Sequence, residues 1–319
     1  MAGGLGLAAY HAGVYQAFAR RGMPLHWLAG SSAGAVTAAL IAGNRLTDRI
    51  GRLRAFWNFP PVERADFSPS RHWFGWLGAI GTRLTGSAGH FHPRLLPSPL
   101  SSRFNGLYDS TPMRSRLAQL VDFGRLNSGD PRVCIAATDV ESGEAVIFDT
   151  AQMKLEMDHL MASCGFFPEF APVDVDGRNF GDGGLSLNAP FDPVMQADIN
   201  GDLLLYVVDL YPRDGSVPDS LESAAERKND LLFGNQTFLR LKYTAEIRKL
   251  RRQLVTQDSG GSDQIVLLSY RPGAEEAGPD KSFDFSPMAL AQRWKAGLLD
   301  FEHANEIAVR DEIVTVRRG

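Results

Sequence analysis

Cysteine is scarce in this 319-residue chain, where Cys134 and Cys164 are the only two. They are too few for a small fold held by disulfides, and they fit a reducing compartment. No apolar run approaches the ~18 residues of a membrane-spanning helix. The amino terminus lacks the basic flank and apolar core of a signal peptide. A net charge of -4 gives no cation excess for a general nucleic-acid binder. We therefore expect a cytoplasmic protein without a nucleic-acid partner, and leave peripheral membrane contact open.

The composition is typical of a globular protein, and the order of the predicted elements is typical of an α/β fold. Hydrophobic residues make up 44% of the chain and charged residues 22%, enough to build a sizeable core. A glycine turn, a helix, a short strand, a second glycine turn and a second helix follow one another in residues 3–42. This order predicts a mostly parallel sheet flanked by helices. Such a unit usually begins with a strand, so either its start lies upstream of Met1 or the first strand is absent.

The remaining pattern divides the chain near residues 212–220. We predict a first domain over 1–212 with an irregular insertion at about 64–106, and a helical extension with one strand over 213–319 that packs on the same domain. The predicted strands are 25–29, 133–138, 145–148, 203–210 and 265–269, of which the second and third form a hairpin. The predicted helices are 33–42, 111–123, 157–163, 221–254 and 287–309.

The strongest local motif is Gly-x-Ser-x-Gly at residues 30–34, between a short strand and an alanine-rich helix. That context is typical of a nucleophile elbow, in which the turn presses the residues two positions either side of the serine against the backbone. Gly30 and Gly34 supply the small residues, and Ser32 becomes the candidate nucleophile at a helix N-terminus. The alternative is a glycine-rich turn in which Ser31 or Ser32 only caps a helix.

A serine nucleophile needs a base, and the seven histidines offer no good one. Only His303 lies far downstream, in a polar stretch typical of an exposed helix. An aspartate is better placed, because Gly181-Asp182-Gly183-Gly184 puts Asp182 among glycines on a tight turn. Partial burial would raise its pKa enough for it to accept a proton. A plain Asp-Gly hairpin turn remains the alternative.

The first glycine turn, Gly3-Gly4-Leu5-Gly6, can collect backbone N–H groups at a helix start and so bind an anion. For a serine nucleophile this would be the oxyanion hole. A Walker A loop is excluded because no Gly-Lys-Ser/Thr follows. The spacing Gly4-x-Gly6-x-x-Ala9 imitates a dinucleotide fingerprint, but no strand precedes it. The next acidic residue, Asp48, is too far away for the ribose contact.

Together the three turns resemble the patatin-like phospholipase family, in which a glycine-rich oxyanion turn, a Gly-x-Ser-x-Gly elbow and an Asp-Gly-Gly/Ala turn follow in this order. The resemblance covers nearly the whole chain. Residues 162–168, 171–173 and the Asn188-x-Pro190 stretch are similar to the family's segments around the aspartate turn. From about residue 200 the chain looks like the C-terminal extension of a bacterial subgroup.

The resemblance implies a three-layer α/β/α fold and a serine esterase or lipid acyl hydrolase that works through an acyl-enzyme. Ser32 would be the nucleophile and Asp182 the base, in a dyad without histidine. The oxyanion hole would comprise Gly3, Gly4, Leu5 and Gly6. The resemblance implies a lipid or other ester as substrate, no cofactor and no metal.

The first turn departs from the family pattern Gly-Gly-Gly-x-Arg-Gly. Leu5 replaces the third glycine, Leu7 stands where arginine is common, and Ala8 replaces the last glycine. A catalytically impaired regulatory or interaction module is therefore a second interpretation. An NAD(P)-binding oxidoreductase is a third, less favoured one.

Two segments could contact a membrane. Residues 73–77 contain three aromatic residues, Trp73, Phe74 and Trp76. Such a cluster is typical of a lid or of a patch at a membrane interface. Packing over the core is the alternative, and it is slightly favoured. The helix over 221–254 carries six cations between residues 240 and 252, which could attract anionic lipid. Its glutamates favour a solvated face instead.

Overall fold

The computed structural model describes residues 1–58, 72–94, 106–197, 201–255, 262–273, 281–307 and 313–316. Its strands are β1 Trp27–Ser31, β2 His92–Pro93, β3 Tyr108–Asp109, β4 Arg132–Asp139, β5 Ala145–Asp149, β6 Val173–Val175, β7 Arg178–Asp182, β8 Leu203–Asp209, β9 Asp263–Ser269 and β10 Ile313–Val316. Its helices are α1 Ala9–Arg20, α2 Ala33–Ala42, α3 Arg49–Phe56, α4 His72–Thr85, α5 Thr111–Leu120, α6 Phe123–Leu126, α7 Met157–Ala162, α8 Asp192–Gln196, α9 Leu221–Val255 and α10 Pro287–Ile307.

The strands form a mixed layer between helices, which makes the chain a three-layer α/β/α fold. β1 and β4 pair in parallel, and β4 also pairs antiparallel with β5 and with β7, which carries β6 on its other edge. β8, β9 and β10 form a second, parallel sheet. Because helices cover this layer, β4 reads as a continuous buried run from Val133 to Asp139.

Met1 and Ala2 join the two sheets. The amino group of Met1 donates to Ala29 O at 2.8 Å, and Ser31 N donates back to Met1 O at 3.2 Å. On the other side Ala2 N donates to Val208 O at 2.9 Å. The two residues thus lie between the edges of β1 and β8 like the end of a parallel strand. Next to them, between the same edges, lies a mostly apolar cavity of about 550 Å³.

Most of the predicted elements are present. The hairpin of β4 and β5 is confirmed, and α2 spans the predicted 33–42. The first strand lies two residues later than predicted, because β1 aligns Trp27 with Arg132 and Ser31 with Ala136 of β4. In the predicted insertion, residues 59–71 and 95–105 lie outside the described ranges. Residues 73–77 belong to the backbone of α4, but their side chains also lie outside the described part.

The C-terminal part packs against the first helix. A Cβ on Gly13 of α1 would come within 1.9 Å of Trp294 O, and one on Gly297 of α10 within 2.1 Å of Tyr10 O. The Tyr10 hydroxyl also donates to Asp300 at 2.8 Å. These two glycines let the helix backbones touch, so α10 covers α1 closely. The boundary at 212–220 stays a prediction.

Within the described ranges, no helix combines the length and the apolar character needed to cross a membrane.

Candidate active site

Ser32 occupies a sharp turn between β1 and α2. Its backbone has φ 52° and ψ -124°, a conformation that costs a non-glycine residue of order 1–3 kcal/mol. The flanking glycines permit the turn: a Cβ on Gly30 would lie 2.3 Å from Gly34 C and O, and one on Gly34 would lie 2.2 Å from Met1 O. The local geometry is that of the predicted elbow, and Ser32 is itself 7% exposed.

The Ser163 hydroxyl links the elbow to β4 by hydrogen bonds. This fully buried hydroxyl accepts a hydrogen bond from Ser32 N at 2.8 Å and donates to Ala136 O at 2.6 Å. Ser163 follows α7 and therefore ties three elements together at the turn. Hydroxyls that use both their donor and their acceptor inside a protein fix backbone positions, and here the fixed position is that of Ser32.

The register of β4 brings Asp182 to Ser32. Ala136 of β4 lies opposite Ser31 of β1, and the next residue, Ala137, lies opposite Asp182 of β7. β1 and β7 therefore end beside neighbouring residues of β4. Because adjacent strands lie only about 4.8 Å apart, these two strand ends are close in space. The Ser32 side chain lies close enough to the Asp182 carboxyl group to lower its pKa. The structure thus brings together the two residues of the predicted dyad.

The Asp182 carboxyl group is buried, and this burial raises its pKa to about 7. The nearby Ser32 side chain and a hydrogen bond from Gly184 N at 2.7 Å oppose the rise. The carboxylate is further positioned through its backbone, because Thr138 Oγ1 donates to Asp182 O at 2.8 Å. An acid with a pKa near neutrality can both take and return a proton at physiological pH.

The first glycine turn lies beside Ser32. A Cβ on Gly3 would come within 3.0 Å of Ser32 Cβ. Gly3 N already donates to Asn188, at 3.0 Å from its Oδ1. Gly4 has φ 156° and Leu5 has φ 48°, so the turn keeps the left-handed backbone even with a leucine in it. Gly6 faces away, toward Arg293 Nη1 and Asp284 O.

These contacts give the predicted oxyanion residues different roles. The N–H of Gly3 donates to Asn188, and this hydrogen bond anchors the turn to the segment after the aspartate. The amides of Gly4 and Leu5 lie at the positive-φ part of the turn. Such consecutive amides form a concavity for an anion.

A small apolar cavity of about 40 Å³ opens beside Ser32. Leu5 and Cys164 also line it, so the first turn, the elbow and the aspartate segment meet there. The aromatic rings of its wall are Phe56, Trp57, Phe91, Phe170 and Phe285. The Cys164 thiol is within hydrogen-bonding reach of Ser32, but burial and the Asp182 charge raise its pKa, so it stays a neutral thiol.

His90 lines the same cavity without taking the role of a base. Its ring stacks on Trp57 and packs edge-on against Phe56, and its Nδ1 shares a hydrogen bond with Ser87 Oγ at 3.1 Å. Burial and the nearby Arg116 lower its pKa to about 3. His303, the downstream histidine, lies on α10. Among the described residues, no three His, Cys, Asp or Glu side chains come together as metal ligands.

Sequence reasoning assigned no role to four residues that support the site. Ser163 and Asn188 stand in the segments quoted for the family resemblance, yet nothing in the sequence gave them a partner. Thr138 lies inside a strand. Gln236 lies on α9, where its Oε1 accepts a hydrogen bond from Asn188 N and its Nε2 lies 3.5 Å from Gly184 O. Contacts across such sequence distances need the tertiary structure.

Comparison with known proteins identifies the family of the chain. The model of the family described as patatin-like phospholipase matches residues 1–195. No curated protein sequence matches the chain. Among solved structures, the crystal structure of VipD from Legionella pneumophila is similar over 97% of this chain, with 12% identity and a TM-score of 0.43. The chain spans 66% of the length of that protein. Because the family model matches well over half of its residues, the chain belongs to the patatin-like phospholipase family.

Proposed function

We propose that this protein is a lipid acyl hydrolase that cleaves carboxylic esters with a Ser32–Asp182 dyad. The observation that carries the proposal is the contact between the Ser32 hydroxyl and a buried Asp182 carboxyl group whose pKa is about 7. Membership of a lipid acyl hydrolase family supports the substrate class. The natural substrate is a lipid or another ester, and the chemistry needs no metal or cofactor.

Acylation begins with ionised Asp182. The carboxylate takes the proton of the Ser32 hydroxyl while Oγ attacks the ester carbonyl carbon, and the C=O electron pair moves onto the carbonyl oxygen. When the tetrahedral intermediate collapses, the C–O bond to the alcohol breaks and Asp182 returns the proton to the leaving oxygen. The products of this half are the free alcohol and an ester on Ser32.

Deacylation repeats the same proton path with water. Asp182 takes a proton from water, the hydroxide attacks the acyl-enzyme carbonyl, and the Ser32 oxygen leaves with the proton from Asp182. In both halves the amides of Gly4 and Leu5 donate to the oxyanion, and Gly3 positions them through Asn188. A preorganised donor of this kind typically contributes ≈ 10²–10³ in kcat.

A fluorophosphonate probe tests the nucleophile. Wild-type protein should be labelled at Ser32, while Ser32→Ala should not be labelled and should lose about a thousandfold or more in kcat on a soluble ester. Ser31→Ala is the matched control, since its neighbouring hydroxyl should be dispensable for labelling. If the well-folded wild type takes no label, the proposal is wrong and the impaired regulatory module becomes the better interpretation.

The pH profile tests the base. Because Asp182 acts as its carboxylate and has a pKa of about 7, kcat/KM should rise with pH through neutrality and level off above it. An ordinary aspartate, with a pKa near 3.8, would give a profile that is flat from pH 5 upward. A flat profile would therefore contradict the assignment of Asp182 even if Ser32 is labelled.

A further inference from the structure

An apolar stripe, interrupted by Gln236 and Glu246, runs along the exposed side of α9, a helix that lies beyond the residues matched by the family model. Its members follow at spacings of seven, four, four, three and four residues, which keeps them on one face of an α-helix. They are between 46% and 86% exposed. The α9 stripe consists of Leu232, Leu239, Tyr243, Ile247, Leu250 and Leu254.

Residues outside the stripe attach α9 to the rest of the protein. Leu241 is fully buried, and Arg248 is almost fully buried, with Nη1 donating to Met195 O at 2.9 Å and Nε paired with Asp263 at 3.0 Å. Arg240 pairs with Asp192 at 2.7 Å. The stripe is therefore not needed to hold α9 in place.

Exposed cations lie along the stripe. Between residues 239 and 254 the sequence has six cations and one acid, Glu246. Arg240, Arg248 and Arg252 are used in ion pairs with the protein body. The other three cations, Lys242, Lys249 and Arg251, are all exposed. The surface that surrounds the apolar stripe is thus positive, although the whole chain is negative.

The stripe leads to the candidate active site. Gln236 lies on the same face, between Leu232 and Leu239, and touches Gly184 of the aspartate turn. Two further exposed apolar side chains, Phe167 and Leu185, flank that turn at Gly181. Exposed apolar side chains therefore lie both on α9 and at the rim of the site, and the Gln236 contact links these two places.

We propose that the α9 stripe docks onto an anionic lipid surface. The apolar side chains would enter the boundary between headgroups and acyl chains, while the flanking cations meet lipid phosphates and carboxylates. A second copy fits this face poorly, because pairing two stripes would bring the exposed cations of one copy close to those of the other. The inference rests on the proposed function, because it presents Ser32 to substrate that is part of a membrane.

Vesicle sedimentation tests the docking. Wild-type protein and Ser32→Ala should both sediment with vesicles of equal parts phosphatidylcholine and phosphatidylserine, and much less with phosphatidylcholine alone. The double variant Ile247→Glu/Leu250→Glu should reduce binding to the mixed vesicles by about tenfold or more. Leu46→Glu, at an exposed apolar residue away from α9, is the matched control and should bind like the wild type. Both variants change exposed side chains, and circular dichroism checks that each is folded.

The charge contribution is measured separately. Each of Lys242→Gln and Lys249→Gln should weaken binding by about fivefold, in line with about 1 kcal/mol per cation near an anionic surface. On a soluble ester the stripe variant should be as active as the wild type, whereas on vesicle lipid it should be slower.

Three results would overturn the docking proposal: no binding of the wild type, equal binding by the stripe variant, or a dimer in ultracentrifugation that the stripe variant loses. Failure of the proposed function looks different, since binding would persist without hydrolysis.

Discussion

Ser31 and Asp182 face consecutive residues of one strand, Ala136 and Ala137 of β4. This relationship places the residue after Ser31 within reach of the Asp182 carboxyl group, although 150 positions separate them in the chain. β4 pairs in parallel with β1 and antiparallel with β7, so both neighbouring strands end at the same place. The candidate dyad is therefore built on strand ends and not on flexible loops.

Asp182→Asn should stabilise the protein in a pH-dependent way. The folded carboxyl group has a pKa of about 7 against 3.8 for an ordinary aspartate, so the folded state holds a proton that the unfolded state has lost between these values. Wild-type stability from this group thus falls as pH rises from about 4 to 7. The asparagine cannot ionise, so its advantage should grow over that window to a few kcal/mol.

Thermal unfolding of the wild type and Asp182→Asn at pH 4.5 and pH 8 measures this difference. The two proteins should be close in Tm at the acidic pH and should separate at the alkaline pH. A difference that does not change with pH would mean that Asp182 is not a buried, protonated group in the folded state.

Two substitutions in the first turn should show whether the reaction depends on the backbone N–H groups of Gly4 and Leu5 or on the Leu5 side chain. Gly4→Ala places a Cβ about 2.8 Å from Leu210 Cδ1 at φ 156°, which shifts the amides of Gly4 and Leu5. We expect kcat to fall about a hundredfold with KM little changed. Leu5→Gly removes a bulky residue from φ 48° and keeps its N–H, so kcat should stay within several-fold.

Steady-state kinetics on a soluble ester compare the two variants. Equal losses in both would indicate that the Leu5 side chain, and not its amide, matters for the reaction.

The cavity beside Ser32 should select short acyl groups. Its volume of about 40 Å³ is far below the ~300 Å³ of typical ligand pockets, and aromatic rings close it. For soluble esters added without vesicles, acetyl and butyryl esters should therefore give a higher kcat/KM than octanoyl esters, and hydrolysis of long-chain vesicle lipid requires the Phe285 wall to move. Phe285→Ala, which opens one partly buried wall, should raise the octanoyl-to-acetyl ratio by about tenfold.

Phe167→Ala is the control for this prediction, because Phe167 lies near the aspartate turn but does not line the cavity. If the wild type prefers octanoyl esters, or if both variants shift the ratio alike, the cavity does not hold the acyl group.

The cavity between β1 and β8 should accept an added strand. Backbone groups of successive residues in a strand point to alternate sides. On this basis Ala29 N–H and Trp27 C=O of β1 face the cavity from one side, and the backbone of Tyr206 in β8 faces it from the other. His11 lines it with both ring nitrogens unpartnered among the described residues, and burial lowers the pKa of the Met1 amino group to about 5. Joining an apolar segment of about five residues to Met1 should raise Tm by about 4 °C or more.

An extension of the same length made of glycine and serine is the control and should leave Tm unchanged. Hydrogen exchange at the Ala29 amide should slow only with the apolar extension. Stabilisation without that protection would mean that the segment binds elsewhere.

The three turns and the elements that carry them could be predicted from local sequence patterns. Gly30, Ser32 and Gly34 predict the elbow because their spacing is a local steric requirement, and the glycines around Asp182 are of the same kind. α2 and the β4–β5 hairpin follow from periodicity and turn residues over short stretches. All of these depend on neighbours a few residues apart, which a sequence displays directly.

Which groups meet depends on the packing of the whole chain. The pairing of Ser32 with Asp182 depends on the register of three strands, the bracing by Ser163 depends on a helix end, and the raised pKa of Asp182 depends on burial by distant segments. The use of the Gly3 amide by Asn188 and the exposure of the α9 stripe are equally non-local. Burial and long-range register arise from the packing of the whole chain, so no local pattern could specify the pKa of Asp182 or the exposed face of α9.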